Sequence, residues 1–428
     1  MLFGSTLQLC YLPGVQKPVS DFKQVKTNTI WLAIFQLAKM VFPFLILPIL
    51  TRRLLITTYG DITFIKTIMN FLQIFIDFGF MLSATKEIAK IKNNPAQIQQ
   101  ILADTLLARI LLGGMGFIVI LIASFFLPIL SQHFVFSLLS YLTIFLSIFL
   151  FDFFFRGLEI IHIMTIRFVI MKTISFILTV FFVKNDEDII LIPLFDILSS
   201  LIAIILVFIE LQKSNLHIIK PRLKSSLQSL KSSFVYFLSD ISATALNALS
   251  TIIIGLVFSS TEIALFGVSI QIIGAIQALL GQLASGIYPN MVRQKSQKFI
   301  QHIFKTTLPF VLLFTLLVIF CLPLCLQILA GTKYTAASLI IQILAPTIIF
   351  SFCNTLLGWP TLGVINHQKQ VTASTIISTV FNLAILVLLL IFNHLTLYSV
   401  AITRVVTEVV LFCIRFYYFR KFRHEFNP

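Results

Sequence analysis

The 428-residue chain is 58% hydrophobic and only 11% charged, with 45 Phe and a mean hydropathy of +1.01. Soluble domains carry about 25% charged residues, so a water-soluble enzyme is excluded, and spans of ~20 apolar residues leave no room for a large soluble domain. The net charge of +15 does not mark a nucleic-acid binder, because the basic residues sit in short loops between apolar runs instead of on one face of a soluble domain.

In chain order, residues 1–27 lack a basic segment followed by an apolar one, so no cleavable signal peptide is expected and the segment reads as a cytoplasmic tail. Apolar runs and their breakers predict spans near 28–50, 61–84, 101–130, 134–156, 158–183 and 189–212, then a polar, basic linker over 213–230. A second set follows near 231–257, 262–288, 303–329, 335–358, 370–393 and 396–418, with 419–428 as a second cytoplasmic tail. The expected fold is all-α and membrane-integral: twelve transmembrane helices in two six-helix lobes, 28–212 and 231–418, around a central cavity. Six spans return the chain to its starting side, which suits two parallel repeats about an axis along the membrane normal.

Lysine and arginine set the orientation. With the N-terminus inside, 21 of the 31 fall in cytoplasmic segments, whereas only Arg52, Arg53, Lys184 and Lys333 face the other side. Both termini are therefore expected in the cytoplasm. The inner segment 85–100 alternates Lys with Ile and Ala and reads as an interfacial amphipathic helix interrupted at Pro95.

Sites for covalent or metal chemistry are not expected. There is no GxxxxGK[ST] phosphate loop, no metal-ligand spacing and no Ser/His/Asp arrangement, so catalytic residues, metal and cofactor are all read as none. Cys321 and Cys325 stand one turn apart, but with no His or carboxylate nearby they read, like Cys10, Cys353 and Cys413, as small unpaired residues. The Gly113-Gly114-Met115-Gly116 cluster reads as close helix packing, and Asp61 reads as a helix cap in preference to a catalytic acid.

Polar groups inside the spans carry the functional signal. Lys39 stands at the middle of the first span, where a lysine costs roughly 2.5–3.5 kcal/mol on insertion scales. Gln36 and Pro43 share its face, and Pro43 with Pro48 predicts a bent helix. Lys66, Asn70, Gln73 and Asp77 form one stripe of span 2; Asp240, Thr244, Asn247 and Thr251 form one of span 7. Gln271, Ala275, Ala278, Gln282 and Ser285 align on span 8, and Arg404, Glu408 and Arg415 on span 12, the first two able to pair. Such stripes read either as hydrogen-bonded seams or as the lining of a watery cavity. The charges at Lys39, Lys66, Asp240, Arg404 and Glu408 favour the cavity, and spans 1 and 2 hold the places in the first half that 7 and 8 hold in the second. A transporter is expected, with Gln36, Lys39, Lys66, Asn70, Gln73, Asp240, Thr244, Asn247, Gln271, Gln282, Arg404 and Glu408 lining its substrate cavity and Asp240 as the ion-coupling candidate. Asp152, Arg156 and Glu159 read as a surface network, Asp196 and Glu210 as interfacial, and Arg109 and Arg167 as snorkelling.

The run Trp31-Leu32-Ala33-Ile34-Phe35-Gln36, then Pro48-Ile49-Leu50-Thr51-Arg52-Arg53-Leu54, Tyr59-Gly60 and Asp77 through Ala89, resembles the opening of the Wzx-type polysaccharide flippases of the MATE-like (MOP) exporter superfamily. Gly274-Ala275-Ile276-Gln277, Tyr288-Pro289 and Leu344-Ala345-Pro346 extend the resemblance, which covers about 28–418, with Arg52, Gly60, Asp77 and Gly79 as its motif positions. Leu54 through Thr58 departs from the family's Gly-containing turn. The resemblance implies a MATE-like fold and export of an undecaprenyl-diphosphate-linked O-antigen or related repeat unit across a bacterial inner membrane by alternating access. It further implies membrane lipid, a polymerase and a chain-length regulator as partners, and no nucleic acid. Lys39, Lys66 and Arg404 would then offset the diphosphate charge. A drug or cation antiporter of the same superfamily is the nearest alternative, though cationic substrates would favour an acidic lining. A membrane polysaccharide polymerase or ligase, the alternative of another class, would need a large periplasmic loop that the chain lacks.

Overall fold

The computed structural model describes residues 21–91 and 94–426; within them, the side chains of 21–26, 239, 242–249, 285, 289, 323 and 325 lie outside the description. Every described element is helical: α1 (Asp21–Arg53), α2 (Ile56–Asp77), α3 (Phe80–Lys90), α4 (Pro95–Phe126), α5 (Pro128–Gln132), α6 (Phe134–Leu146), α7 (Asp152–Gly157), α8 (Ile161–Phe182) and α9 (Leu191–Lys213) form the first half. The second half holds α10 (Leu223–Val257), α11 (Ser260–Gly286), α12 (Tyr288–Gln294), α13 (Gln297–Leu329), α14 (Ala337–Leu344), α15 (Pro346–Leu357), α16 (Gln368–Ile391) and α17 (Leu397–Lys421).

Eleven helical segments among the described residues are long and apolar enough to cross a membrane. The chain is thus a multi-pass membrane protein. Helix α10, at the place of the seventh predicted span, is 35 residues long. It also absorbs part of the predicted linker, because no breaker follows Pro221 and Leu223, Leu227 and Leu230 repeat at helical spacing.

Two predicted spans are broken. Span 2 divides into α2 and α3 at Phe78 (φ 42°) and Gly79 (φ 73°), and span 4 into α6, a 3-10 turn and α7 at Phe151 (φ 50°). The expected interfacial helix over 85–100 is not a separate element. Its first part ends α3, and Pro95 opens α4 instead of interrupting a helix, since a first-turn proline forfeits no intrahelical bond. Asn94 caps that start by accepting from the Gln97 amide.

Lipid supplies little hydrophobic drive for helix association, so close packing and buried polar bonds hold the bundle. Helix α2 packs on α10 and α11, joining the two halves. Glycines let them approach: a Cβ at Gly255 would sit 2.1 Å from the Phe64 ring, and one at Gly267 2.6 Å from Thr63. At one end, Arg52 donates to the Ile328 carbonyl (2.5 Å), Arg53 to Val180 and Val183, Leu55 N to Asp186, and Lys333 to Leu54. Asp61 joins the same end, accepting from Ser260 (2.5 Å) and standing 3.1 Å from His133 Nε2. At the other end Ser83 meets Ser233 (2.6 Å), and Asp104 accepts from the Arg222 amide (2.7 Å).

Arg109 and Arg167 do not snorkel. Arg109 is 5% exposed, with its guanidinium on Asp77 (2.5 Å) and the Ile148 carbonyl, and Arg167 is 3% exposed against Asp152 and the Leu150 carbonyl. A guanidinium within the span is stabilised more by a fixed carboxylate and carbonyl than by stretching to the interface.

Candidate functional site

A cavity of about 300 Å³ opens between α1 and α11. One wall is Gln36, Leu37, Lys39, Met40, Pro43 and Phe44, and the other is Gln271, Gly274, Ala275, Ala278 and Gln282. The α1 wall is polar for two reasons. Lys39 is the charged residue of the lining, its ammonium 5.0 Å from the Phe35 ring centroid. Pro43 and Pro48 lack the N–H that would bond the carbonyls of Lys39 and Phe44, so two lining residues keep acceptors without their usual helical donor. The α11 wall is smooth and carries small residues between two glutamines. Gln271 is fully engaged: its Nε2 donates to the Pro43 carbonyl (2.7 Å) and its Oε1 accepts from Tyr59 (3.2 Å), strapping α1, α2 and α11 together.

The structure thus brings Gln36, Lys39, Gln271 and Gln282 to one cavity and sets other candidates elsewhere. Lys66 faces the interior of the first half, where Asp196 and Lys172 are its electrostatic neighbours. There the Lys172 ammonium lies 3.4 Å from Asp196, which also accepts from Ser175 (2.7 Å). Gln73 bonds Asp77 and Ser147, both at 3.0 Å, and Asn70 is exposed. Asp240 is half-buried on α10, within electrostatic reach of Asp77 across the boundary between the halves. Arg404 and Glu408 pair at 3.1 Å but are buried (6% exposed each) in the seam of α15, α16 and α17, away from this cavity. In the same seam Asn354 donates to Glu408, Asn382 to Thr407, and Arg415 to the Asn354 carbonyl. Asn354 and Asn382 are buried polar residues outside the stripes that the sequence spacing marks. The side chains of Thr244 and Asn247 lie outside the described residues.

Asp196 is not interfacial. It belongs to a mid-helix cluster with Lys66 and Lys172, and the mid-span position of Lys172 was the available signal. The resemblance positions do structural work at contacts between helices. Arg52 reaches α13, a Cβ at Gly60 would lie 1.8 Å from the Ser260 carbonyl oxygen, and one at Gly79 would lie 2.6 Å from the Phe237 amide. Asp77 anchors Arg109.

Residues 25–295 match the profile of a family described as polysaccharide biosynthesis protein. A putative O-antigen transporter of Shigella dysenteriae is 25% identical over 64% of this chain and 69% of its own length. Another putative O-antigen transporter, of Escherichia coli K12, is 23% identical over 90% of this chain and 94% of its own. Among solved structures, the lipid II flippase MurJ in an inward closed conformation superposes with a TM-score of 0.71 at 13% identity, over 92% of this chain and 87% of that one. An inward-facing multidrug resistance MATE family transporter of the MOP superfamily superposes with a TM-score of 0.69 at 10% identity, over 93% and 99%. At such identities the likeness is one of fold, and the fold is MATE-like.

Proposed function

Because this chain belongs to the polysaccharide biosynthesis protein family, we propose that it is a flippase, a transporter and not an enzyme. On this reading it carries an undecaprenyl-diphosphate-linked O-antigen or related repeat unit from the cytoplasmic to the periplasmic leaflet of a bacterial inner membrane, with both termini in the cytoplasm. The observation that carries the reading is the cavity between α1 and α11, with apolar Leu37, Met40 and Phe44 beside Lys39 and three glutamines. A lipid tail can stay in the bilayer while its hydrated head group enters such a space. Lys39 offsets phosphate charge, the Gln36 amide suits sugar hydroxyls, and rocking of the two halves carries the head group over. A cationic drug would meet Lys39 as a like charge, which disfavours the antiporter. A polymerase and a chain-length regulator are the partners implied downstream.

In a host lacking the gene, repeat units should accumulate on the cytoplasmic leaflet. Wild type should restore export, Lys39→Arg should retain most of it, and Lys39→Ala should lower the initial rate roughly tenfold or more. If the units instead reach the periplasm without the protein and remain unpolymerised, it acts after translocation and the enzyme alternative wins.

The coupling ion is assigned to Asp240, which takes up a proton on one side and releases it on the other as the halves rock. The facing charged groups are Asp77 and, bound to it, Arg109. Transport by Asp240→Asn should lose its dependence on a pH gradient; a variant that keeps the full dependence removes Asp240 from the coupling step.

A further inference from the structure

We propose that two glycines of α11, Gly274 and Gly281, keep open the room that sets the size of the sugar head group the cavity admits. This rests on the flippase reading and assigns its specificity.

Two kinds of glycine stand out among the described residues. At Gly60, Gly79, Gly255 and Gly267 an added Cβ would lie 1.8–2.6 Å from another part of the protein, so packing requires them. At Gly274 and Gly281 a Cβ would meet, beyond the helix's own backbone, no heavy atom of the described residues within 4 Å. Neither has a positive φ, so backbone conformation does not require glycine there. In a helix interior a glycine costs roughly 1 kcal/mol relative to alanine, yet packing does not repay it at these positions. What they keep is open space. Gly274 lines the cavity itself, and Gly281 follows two turns later, about 10 Å along the helix, beside the lining residue Gln282.

The two walls then divide the work of recognition. On α11, Gly274, Ala275 and Ala278 offer a smooth strip on which the C–H face of a sugar ring can lie. Facing it, α1 presents the Lys39 ammonium and the Gln36 amide, which suit a phosphate and sugar hydroxyls. Gln271 closes the strip at one end, because both ends of its amide are bonded to protein, while Gln282 at the other end is exposed. The occupant is therefore the phosphate-proximal part of the head group: an anion followed by uncharged, hydroxyl-rich rings. Its bulk is what the missing side chains make room for. At about 300 Å³ the cavity stands at the lower limit of ligand pockets, so a leucine at position 274 removes a large share of the room.

The test uses full-length protein in proteoliposomes, with two probes: polyprenyl diphosphate bearing a single sugar, and the same lipid bearing a complete repeat unit. Gly114→Leu is the control, since Gly114 also has open space around its Cβ position but lies exposed on α4. Elution profile and melting temperature establish that each variant is folded. Gly274→Leu and Gly281→Leu are expected to slow the complete unit roughly tenfold while leaving the single-sugar lipid within about twofold of wild type. Gly114→Leu should move both at the wild-type rate. Equal rates for both probes in Gly274→Leu, whether unchanged or equally lost, would overturn the size assignment while leaving the flippase reading intact. Wild-type protein that moves neither probe would overturn the flippase reading itself.

Discussion

Replacing Gly60 by valine will break the seal at the Arg52 end of the bundle. A single Cβ there would stand 1.8 Å from the Ser260 carbonyl oxygen and 3.2 Å from the Ala264 amide. Ordinary contact begins near 3.5 Å, so α2 and α11 must part by roughly 1.5 Å or more. The obstacle is backbone, which cannot turn aside as a flexible side chain would. With the helices parted, Ser260 loses its bond to Asp61, and Asp61 keeps only the His133 contact from its own half. The measurement is the reactivity of a cysteine placed at Ala264, which is fully buried in the parent, towards a membrane-impermeant thiol reagent, read at that site by mass spectrometry. Reactivity should rise at least about tenfold when Gly60→Val is added, and transport should stop because one access state is lost. Unchanged reactivity in a folded double variant would show that this contact does not hold the end closed.

The second large effect is on stability. Arg415 is 9% exposed and its guanidinium donates to the Asn354 carbonyl (2.6 Å), Thr375 Oγ1 (3.0 Å) and Ser374 Oγ (3.2 Å), joining α15, α16 and α17. Arg415→Met fills most of the volume but strands those acceptors and leaves Glu408 with less positive charge nearby. Leaving a buried acceptor without its donor costs about 1–3 kcal/mol, so a clear drop in melting temperature is expected. Arg415→Lys should recover little of it, because a single ammonium cannot reach three acceptors arranged for a planar fork. A melting temperature equal to wild type in Arg415→Met would mean that water or a neighbour satisfies the seam without the arginine.

How far the sequence could be read depended on what helical spacing can report. The i, i+3, i+4 pattern identified Gln36, Lys39 and Pro43 on one helix and Gln271, Ala275, Ala278 and Gln282 on another, and these are the two walls of the cavity. Spacing also anticipated the Arg404–Glu408 pair, because partners one turn apart need no tertiary knowledge. It could not say which neighbour a stripe would face. Lys66 shares a stripe with Gln73, but its turn of α2 looks towards α8 and α9, while Arg404 and Glu408 look into α15 and α16. Long-range partners explain the remaining misses: Arg109 reads as a terminal arginine until Asp77 is seen beside it. The breaks at Phe78 and Phe151 were hidden because phenylalanine rarely adopts a left-handed backbone and carries no local signal for it.

The strap at Gln271 has a consequence for the surroundings of the protein. Helix α1 leaves Ile30, Ile34, Leu37, Val41 and Leu45 exposed, and two helix prolines weaken its internal bonding. The Gln271 amide ties its middle to α11. Helix α8 holds α1 from one side, with Phe35 against Phe168 and Thr165 bonded to the Trp31 carbonyl, while the exposed face of α1 meets hydrocarbon, so chain length or lateral pressure in the bilayer acts on the wall of the cavity. Lipid is in this sense both the medium of the protein and one of its moving parts.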